Sequence, residues 1–253
     1  MWDTLPLLVI FFNVAIASGR YGVDLSVETT AETWSCLRTE HNITYALIRV
    51  YRSNGLIDSN CPDSLFSAYN AGIKDLHAYI FPCVSSSAYS VANGIVCDSP
   101  SDQVIKSVEY LENSGIKVYR KNENQDDISS GPVVRRIWLD IEDEDPAKYY
   151  DTDIAINQGI IEEMAYTADK EGILLGIYTT KTYWTNIMGG IEDYSSLPLW
   201  YPRYDGENSM DFFSAFGGWE KVLIKQTAGD IGYCGISQVD PDYMELYEPS
   251  VGM

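Results

Sequence analysis

Asp140 and Glu142 stand two residues apart in the run Arg136-Ile137-Trp138-Leu139-Asp140-Ile141-Glu142-Asp143. On a strand, side chains alternate between faces, so the two carboxyls point the same way and Leu139 and Ile141 pack on the other face. Their Cα atoms would lie about 6.6 Å apart, twice the strand rise. Two carboxyls converging from one strand end are costly to bury. They are also a recurrent arrangement for acid-assisted cleavage of glycosidic bonds. The Cα spacing does not fix the carboxyl separation, so it leaves the stereochemical route open. The remaining sequence is read as the scaffold that holds this pair.

Apolar patterning predicts strands at 21–26, 45–50, 76–81, 136–143, 173–178, 198–201 and 222–226, with a short eighth at 237–240. Helices are expected at 31–40, 63–71, 102–113 and 153–171; the last carries Ile154, Ile156, Ile160, Ile161, Met164 and Ala168 near helical spacing. Pro62 and Gly72 bracket the second of them. Residues 83–97 read as a Ser-rich loop, 116–119 as a short strand and 121–131 as a polar loop. Strand–helix alternation with about eight strands predicts an α/β fold, a (β/α)8-like barrel that is irregular late, where helices are short or missing. A doubly wound open sheet is the alternative. In a barrel the loops after the strand ends build the active face. Asp24, Tyr79, Asp140, Glu142, Tyr178, Trp200, Gln226 and Asp240 all fall at or near those ends.

The 253-residue chain is 45% hydrophobic, enough for one sizeable core. The apolar run from Leu5 to Ala17 is shorter than the ~20 residues of a membrane span and ends in Ala15-Ile16-Ala17. It reads as a signal peptide over 1–17, followed by a single domain over 18–253. No later segment is apolar enough to span a bilayer, so a secreted or lumenal product is expected. The net charge of −20 argues against nucleic acid and anionic membranes as partners. It would also oppose contact with polyanionic polymers unless acid or salt weakens the repulsion. Of five cysteines, Cys83 and Cys97 are the first choice of bridge, since both flank one loop; Cys36, Cys61 and Cys234 are not assignable, and one must be left over. The two histidines, His41 and His77, read as surface or turn residues, and no spacing matches a metal site. Asn42-Ile43-Thr44 is a glycosylation sequon.

The stretches YGVDLS at 21–26, WLDIED at 138–143, GIYTT at 176–180 with Trp184 behind it, PLWYPRY at 198–204, and the KQT…VD pattern from Lys225 to Asp240 resemble glycoside hydrolase family 25. These are lysozymes that cut bacterial peptidoglycan, and the likeness is to the protist-type lysozymes of invertebrates. It spans Tyr21 to Met244. Two departures stand out. Lys225 replaces an aromatic that often precedes the strand-seven Gln, and Asp240-Pro241-Asp242 stands where the family often has Asp-Leu-Asn.

The resemblance implies hydrolysis of the β-1,4 bond between N-acetylmuramic acid and N-acetylglucosamine by a monomeric, cofactor-free enzyme serving antibacterial defence or digestion. Glu142 would be the general acid, its pKa raised by burial and by Asp140. Asp140 would stay ionised and either attack the sugar or steady its acetamido group as internal nucleophile. Asp24 would position water or hold the charge state of the pair, with Asp240 beside it. Tyr79, Tyr178, Trp200 and Tyr204 could line a sugar-binding groove, since sugar C–H faces stack on aromatic rings. Gln226 could hydrogen-bond the glycan, and Arg49 and Asp58 could pair near the mouth. The rival readings are a barrel that holds glycan without cutting it and a chitinase-like hydrolase. Trp138 disfavours the latter, which usually carries a further acid there. A metal-dependent phosphodiesterase would need more histidines.

Overall fold

A computed structural model describes residues 19–123, 131–145 and 148–245. The expected signal peptide and most of the polar loop at 121–131 lie outside the described residues. In chain order the elements are β1 (Gly19–Leu25), α1 (Ala31–Glu40), β2 (Ile43–Tyr51), α2 (Cys61–Asn70), β3 (Asp75–Ile80), α3 (Ala88–Asn93), α4 (Pro100–Asn113) and β4 (Lys117–Val118). There follow β5 (Val133–Asp140), α5 (Ile154–Lys170), β6 (Leu175–Tyr178), α6 (Lys181–Met188), β7 (Leu199–Pro202), β8 (Ile224–Gln226), β9 (Ile231–Tyr233) and β10 (Ile236–Glu245). Helix starts follow local chemistry. Thr30, Ser99, Asp153 and Thr180 each accept a backbone N–H of the first turn, satisfying a donor the helix cannot.

Strands β1, β2, β3, β5, β6, β7 and β8 run parallel in that order, and β10 closes the ring between β8 and β1. The pairing of β1 with β10 rules out the open-sheet alternative. Strand β10 is antiparallel to both neighbours. A parallel crossover needs about a dozen or more residues. The segment from Gln226 to Ile236 is shorter than that, and it folds into a hairpin through β9. The final strand is thus longer than the 237–240 segment read from sequence, and reversed. The sequence reading also missed α3 inside the Ser-rich loop and α6 after β6.

Two apolar layers result. One fills the space between barrel and helices. The other is the barrel interior, formed by Tyr45, Leu47, Tyr79, Trp138, Tyr178, Trp200 and Ile224. Aromatic rings of this size fit only because glycines face them. A Cβ on Gly176 would come within 2.4 Å of the Trp138 ring, and one on Gly22 within 2.1 Å of the Tyr45 ring. His77 is buried at this level, not on the surface as its sequence context implied. The Trp138 indole N–H, which can only donate, points at His77 Nδ1 at 3.1 Å. His77 Nε2 therefore carries the ring hydrogen and donates to Asp75 Oδ1 at 3.2 Å. A buried indole needs an acceptor, and that need places the histidine inside.

Cys83 is bonded to Cys97, and Cys36 to Cys234, which ties α1 to the β9–β10 turn. Cys61 is a buried free thiol. No helix among the described residues is long and apolar enough to cross a membrane.

Gly176→Ala should therefore overpack the barrel. Urea denaturation is expected to show a loss of about 1–3 kcal/mol, with near-native circular dichroism before the transition.

Candidate active site

Asp140 is the last residue of β5, directly above Trp138 on the inward face, and it pairs in register with Tyr178 of β6. It is 6% exposed. Glu142 stands two residues beyond the strand, in the loop, so the two acids do not share a strand as the alternation had indicated. The backbone between them is clamped instead. Ile141 N–H donates to Tyr178 O at 2.8 Å, and Thr179 Oγ1 donates to Ile141 O at 2.8 Å. Tyr150 hydroxyl donates to Asp140 O at 2.7 Å, and Asp143 Oδ2 accepts the Tyr149 N–H at 2.9 Å. Glu142 borders a cavity of about 610 Å³ together with Phe81, Asp143, Glu144, Lys148 and Tyr149. That volume suits a small ligand or one sugar segment.

Asp24, near the end of β1, meets the pair from across the barrel mouth. Gln226 Nε2 donates to Asp24 Oδ2 at 2.6 Å. Gln226 Oε1 accepts from the hydroxyls of Tyr178 at 2.9 Å and Tyr204 at 2.8 Å. The carboxamide read from sequence as a glycan contact is thus committed inside the protein. It is buried because the Asp24 carboxylate and two phenols all need partners there. Tyr79, Tyr178 and Trp200 are likewise buried beneath the acids, the two tyrosine rings each packed edge-on against Trp200. They form the floor of the site and not an open stacking wall. Tyr204 is different: its hydroxyl is tethered to Gln226, yet the residue is 62% exposed. Its loop is pinned by Lys225, which alternation turns outward from Gln226. Lys225 is fully buried and donates to Asp205 Oδ1 at 2.5 Å and Glu207 O at 2.7 Å.

Asp240 lies opposite Asp24 in register. The sequence placed it at the C-terminal end of a parallel strand. It reaches the active face from the first half of an antiparallel strand, whose earlier residues lie at the barrel mouth. It accepts the Asp230 N–H at 2.5 Å. Asp242 was missed. It lies two residues on, so it faces the same way, and it is paired in register with Gly22 and Gln226. Its Oδ1 accepts the Trp200 indole N–H at 2.8 Å, and its buried Oδ2 has no partner. Period-two alternation from Asp240 would have found it. Arg49 and Asp58 are paired at 2.9 Å, with Arg52 on the second oxygen at 2.7 Å. Asn42 is exposed in the turn before β2, with φ 56°.

The electrostatics follow from this crowding. Burial, then the charges of Asp240 and Asp242, push the Asp24 carboxyl up, against the pull of its Gln226 hydrogen bond. Burial, then Glu142, pushes Asp140 up, and Arg49 opposes them. Glu142 is raised to about 7 by burial, then by Glu144, with the Tyr178 hydroxyl pulling the other way. The expectation that Asp140 simply stays ionised meets a site that resists a second charge. A charge on Glu142 opposes ionisation of Asp140, so the two titrations are linked. Asp242 is held up mainly by burial, against its bond to Trp200. Among the described residues, no group of three or more His, Cys, Asp or Glu is arranged to hold a metal ion. The arrangement supplies a proton donor near neutrality, flanked by carboxylates that can face developing positive charge.

The chain matches the family model described as Lysozyme-like protein 1 over residues 15–121 and 124–227. It is similar to Probable GH family 25 lysozyme 5 of Dictyostelium discoideum, at 32% identity over 245 residues, 95% of this chain and 98% of that one. Lysozyme-like protein 5 of Caenorhabditis elegans is 30% identical over 240 residues, 94% of this chain and 97% of the other. Among solved structures, the bacterial lysozyme from Streptomyces coelicolor shares the fold with a TM-score of 0.64 at 20% identity, covering 89% of this chain and 91% of that one.

The raised Asp242 carboxyl carries a stability signature. Its folded pKa lies above the unfolded value, so its favourable contribution is complete below the unfolded pKa of 3.8 and is lost as pH rises through the folded one. Asp242→Asn keeps the acceptor for Trp200 and removes the titration. The variant should gain stability over the parent as pH rises above about 4, with the difference vanishing below it, as read by denaturant unfolding across pH.

Proposed function

The chain belongs to the lysozymes of glycoside hydrolase family 25, and from that premise we propose that it is a secreted muramidase. Its substrate would be the β-1,4 bond between N-acetylmuramic acid and N-acetylglucosamine in bacterial peptidoglycan. A carboxyl raised to about 7 beside the buried, charge-penalised Asp140 carries this reading. Glu142 gives its proton to the leaving glycosidic oxygen as the C–O bond breaks. Asp140, set deeper than Glu142, steadies the substrate's acetamido group as that group closes on the anomeric carbon. Water then opens the cyclic intermediate, and its proton returns to Glu142. Asp24 and Asp240, themselves pushed toward their neutral forms, hold the proton balance of the pair. The exposed ring of Tyr204 offers a sugar face a stacking partner, and the buried aromatics hold the floor rigid.

The disulfides suit an oxidising compartment and support secretion. In this reading residues 1–17 are a signal peptide and 18–253 a single monomeric barrel, acting in defence against bacteria or in their digestion. Asn42, exposed in its sequon, is the glycosylation site.

Release of reducing ends from purified peptidoglycan and from chitin tests the reading. The parent should act on peptidoglycan and leave chitin largely intact. Glu142→Gln should lose about 10²–10⁴-fold in kcat. Binding without release by the parent would sink the hydrolase assignment, and release from chitin alone would sink the substrate. Because Glu142 must be protonated to act, the rate should fall as pH rises through about 7. A flat profile up to about pH 8 would contradict its role as acid.

A further inference from the structure

The barrel carries acids at the end where its parallel strands finish. At the other end, where they begin, the sign of the charge reverses. A cavity of about 570 Å³ there is lined by Arg20, Arg38, Asn42, Lys74, Asp75 and Arg135, among others. Arg20 lies at the start of β1, Asn42 just before β2, Lys74 just before β3 and Arg135 early in β5. The chain has 17 lysines and arginines against 37 acids, so four cations facing one cavity run against its composition.

The charges are only partly compensated. Asp75 is shared: Arg20 Nη1 approaches Oδ2 at 2.6 Å, and Arg135 Nε approaches Oδ1 at 3.3 Å. His77 donates to the same Oδ1 from inside the barrel. Arg38 and Lys74 rest on neutral groups instead. Arg38 Nη1 donates to Ala71 O at 2.8 Å and lies against Gly72, where a Cβ would come within 2.9 Å of it. Lys74 Nζ donates to Tyr69 O at 2.7 Å and sits 3.2 Å from the centroid of the Tyr69 ring. These contacts fix where the two heads lie without neutralising them. Four cations and one carboxylate leave three uncompensated positive charges around one concave site. Three of the four cations are guanidiniums, whose planar donor forks match tetrahedral oxyanions.

We propose that this basal cavity is a second binding site, for a phosphate group, separate from the glycosidic-bond site at the opposite mouth. The group could be borne by a polymer or be free in solution; both present the same tetrahedral oxyanion to the guanidinium forks. The site gives a strongly anionic protein one local foothold on a phosphate-bearing polyanion, and it leaves the catalytic mouth clear. It stands whether or not the muramidase reading holds, because none of its residues touches the acid pair.

The test is calorimetric titration of the full secreted chain with inorganic phosphate and, separately, with linear polyphosphate. Each is run against sodium chloride of equal ionic strength. A parallel Asn42→Gln sample removes any glycan at the rim. Saturable binding should appear in at least one of the two forms and weaken as salt is raised. Arg38→Ala with Lys74→Ala leaves the Arg20–Asp75–Arg135 cluster intact and should weaken binding about tenfold or more, with unchanged circular dichroism and unchanged turnover of soluble glycan fragments. Polyphosphate binding about tenfold tighter than phosphate assigns the site to polymer-borne groups, and equal affinity assigns it to the free ion. No saturable binding of either probe in either form would overturn the proposal. Binding that survives the double variant unchanged would overturn it too.

Discussion

The structure depends on the cost of gathering carboxylates where water is scarce. Asp24, Asp140, Glu142, Asp240 and Asp242 converge on one end of the barrel, and all five are pushed toward their neutral forms. No lysine or arginine is hydrogen-bonded to any of them among the described contacts; Arg49 acts on Asp140 only through its field. The compensation comes from neutral donors. Gln226 serves Asp24, the Trp200 indole serves Asp242, and the Asp230 N–H serves Asp240. Neutral donors hold a carboxyl without fixing its charge, so the proton stays available for chemistry. A lysine or arginine in the same place would lower the carboxyls and lock them ionised. Asp58, gripped by Arg49 and Arg52 and held below its ordinary value, shows that outcome in the same molecule.

Neutral donors position acids only if they are themselves rigid, which explains the aromatic interior. Trp200 is held by Tyr79, Trp138 and Tyr178 at ring-centroid distances of 4.4–5.9 Å. Trp138 is in turn anchored to His77, and His77 to Asp75. The antiparallel β10 completes the design. By reversing direction it delivers Asp240 and Asp242 to the mouth from one side of the ring, opposite Asp24 and Gln226. A parallel strand in that position would have needed a crossover that the short β8–β10 connection cannot supply.

Much of this was legible in the sequence. The strand–helix alternation gave a barrel, and helix α1 at Ala31–Glu40 coincides with its reading because Thr30 and the apolar spacing mark it sharply. The order of acids and aromatics at strand ends pointed to the mouth. What escaped depends on contacts distant in sequence. The burial of His77 is imposed by an indole 61 residues away, and the Gln226 carboxamide is taken by an acid 202 residues away. The Cys36–Cys234 bond closes a separation of 198 residues that spacing cannot suggest. Asp242 escaped for a different reason. Its place was readable by alternation, but the strand had been ended at Asp240, before Pro241. Proline usually argues against a central strand because it cannot donate to the ladder. Here its carbonyl does the bonding, accepting the Thr227 N–H at 2.7 Å.

The charge pattern extends the same logic to the whole molecule. A chain with a net charge of −20 that pushes the acids of its barrel mouth toward their neutral forms must limit how much more negative field reaches them. The barrel does this by segregation. Arg20, Arg135 and His77 surround Asp75 at the far end, and the Asp75 carboxyl is held below its ordinary value despite its burial. The acids of the mouth meet one another through the low-dielectric aromatic floor, where like charges are felt strongly and screened little. The raised Glu142 carboxyl is therefore set first by burial and then by the other acids of the mouth, Glu144, Asp240 and Asp143. Changes that add negative charge at the mouth should move it more than equal changes at the base, since only the former share that floor.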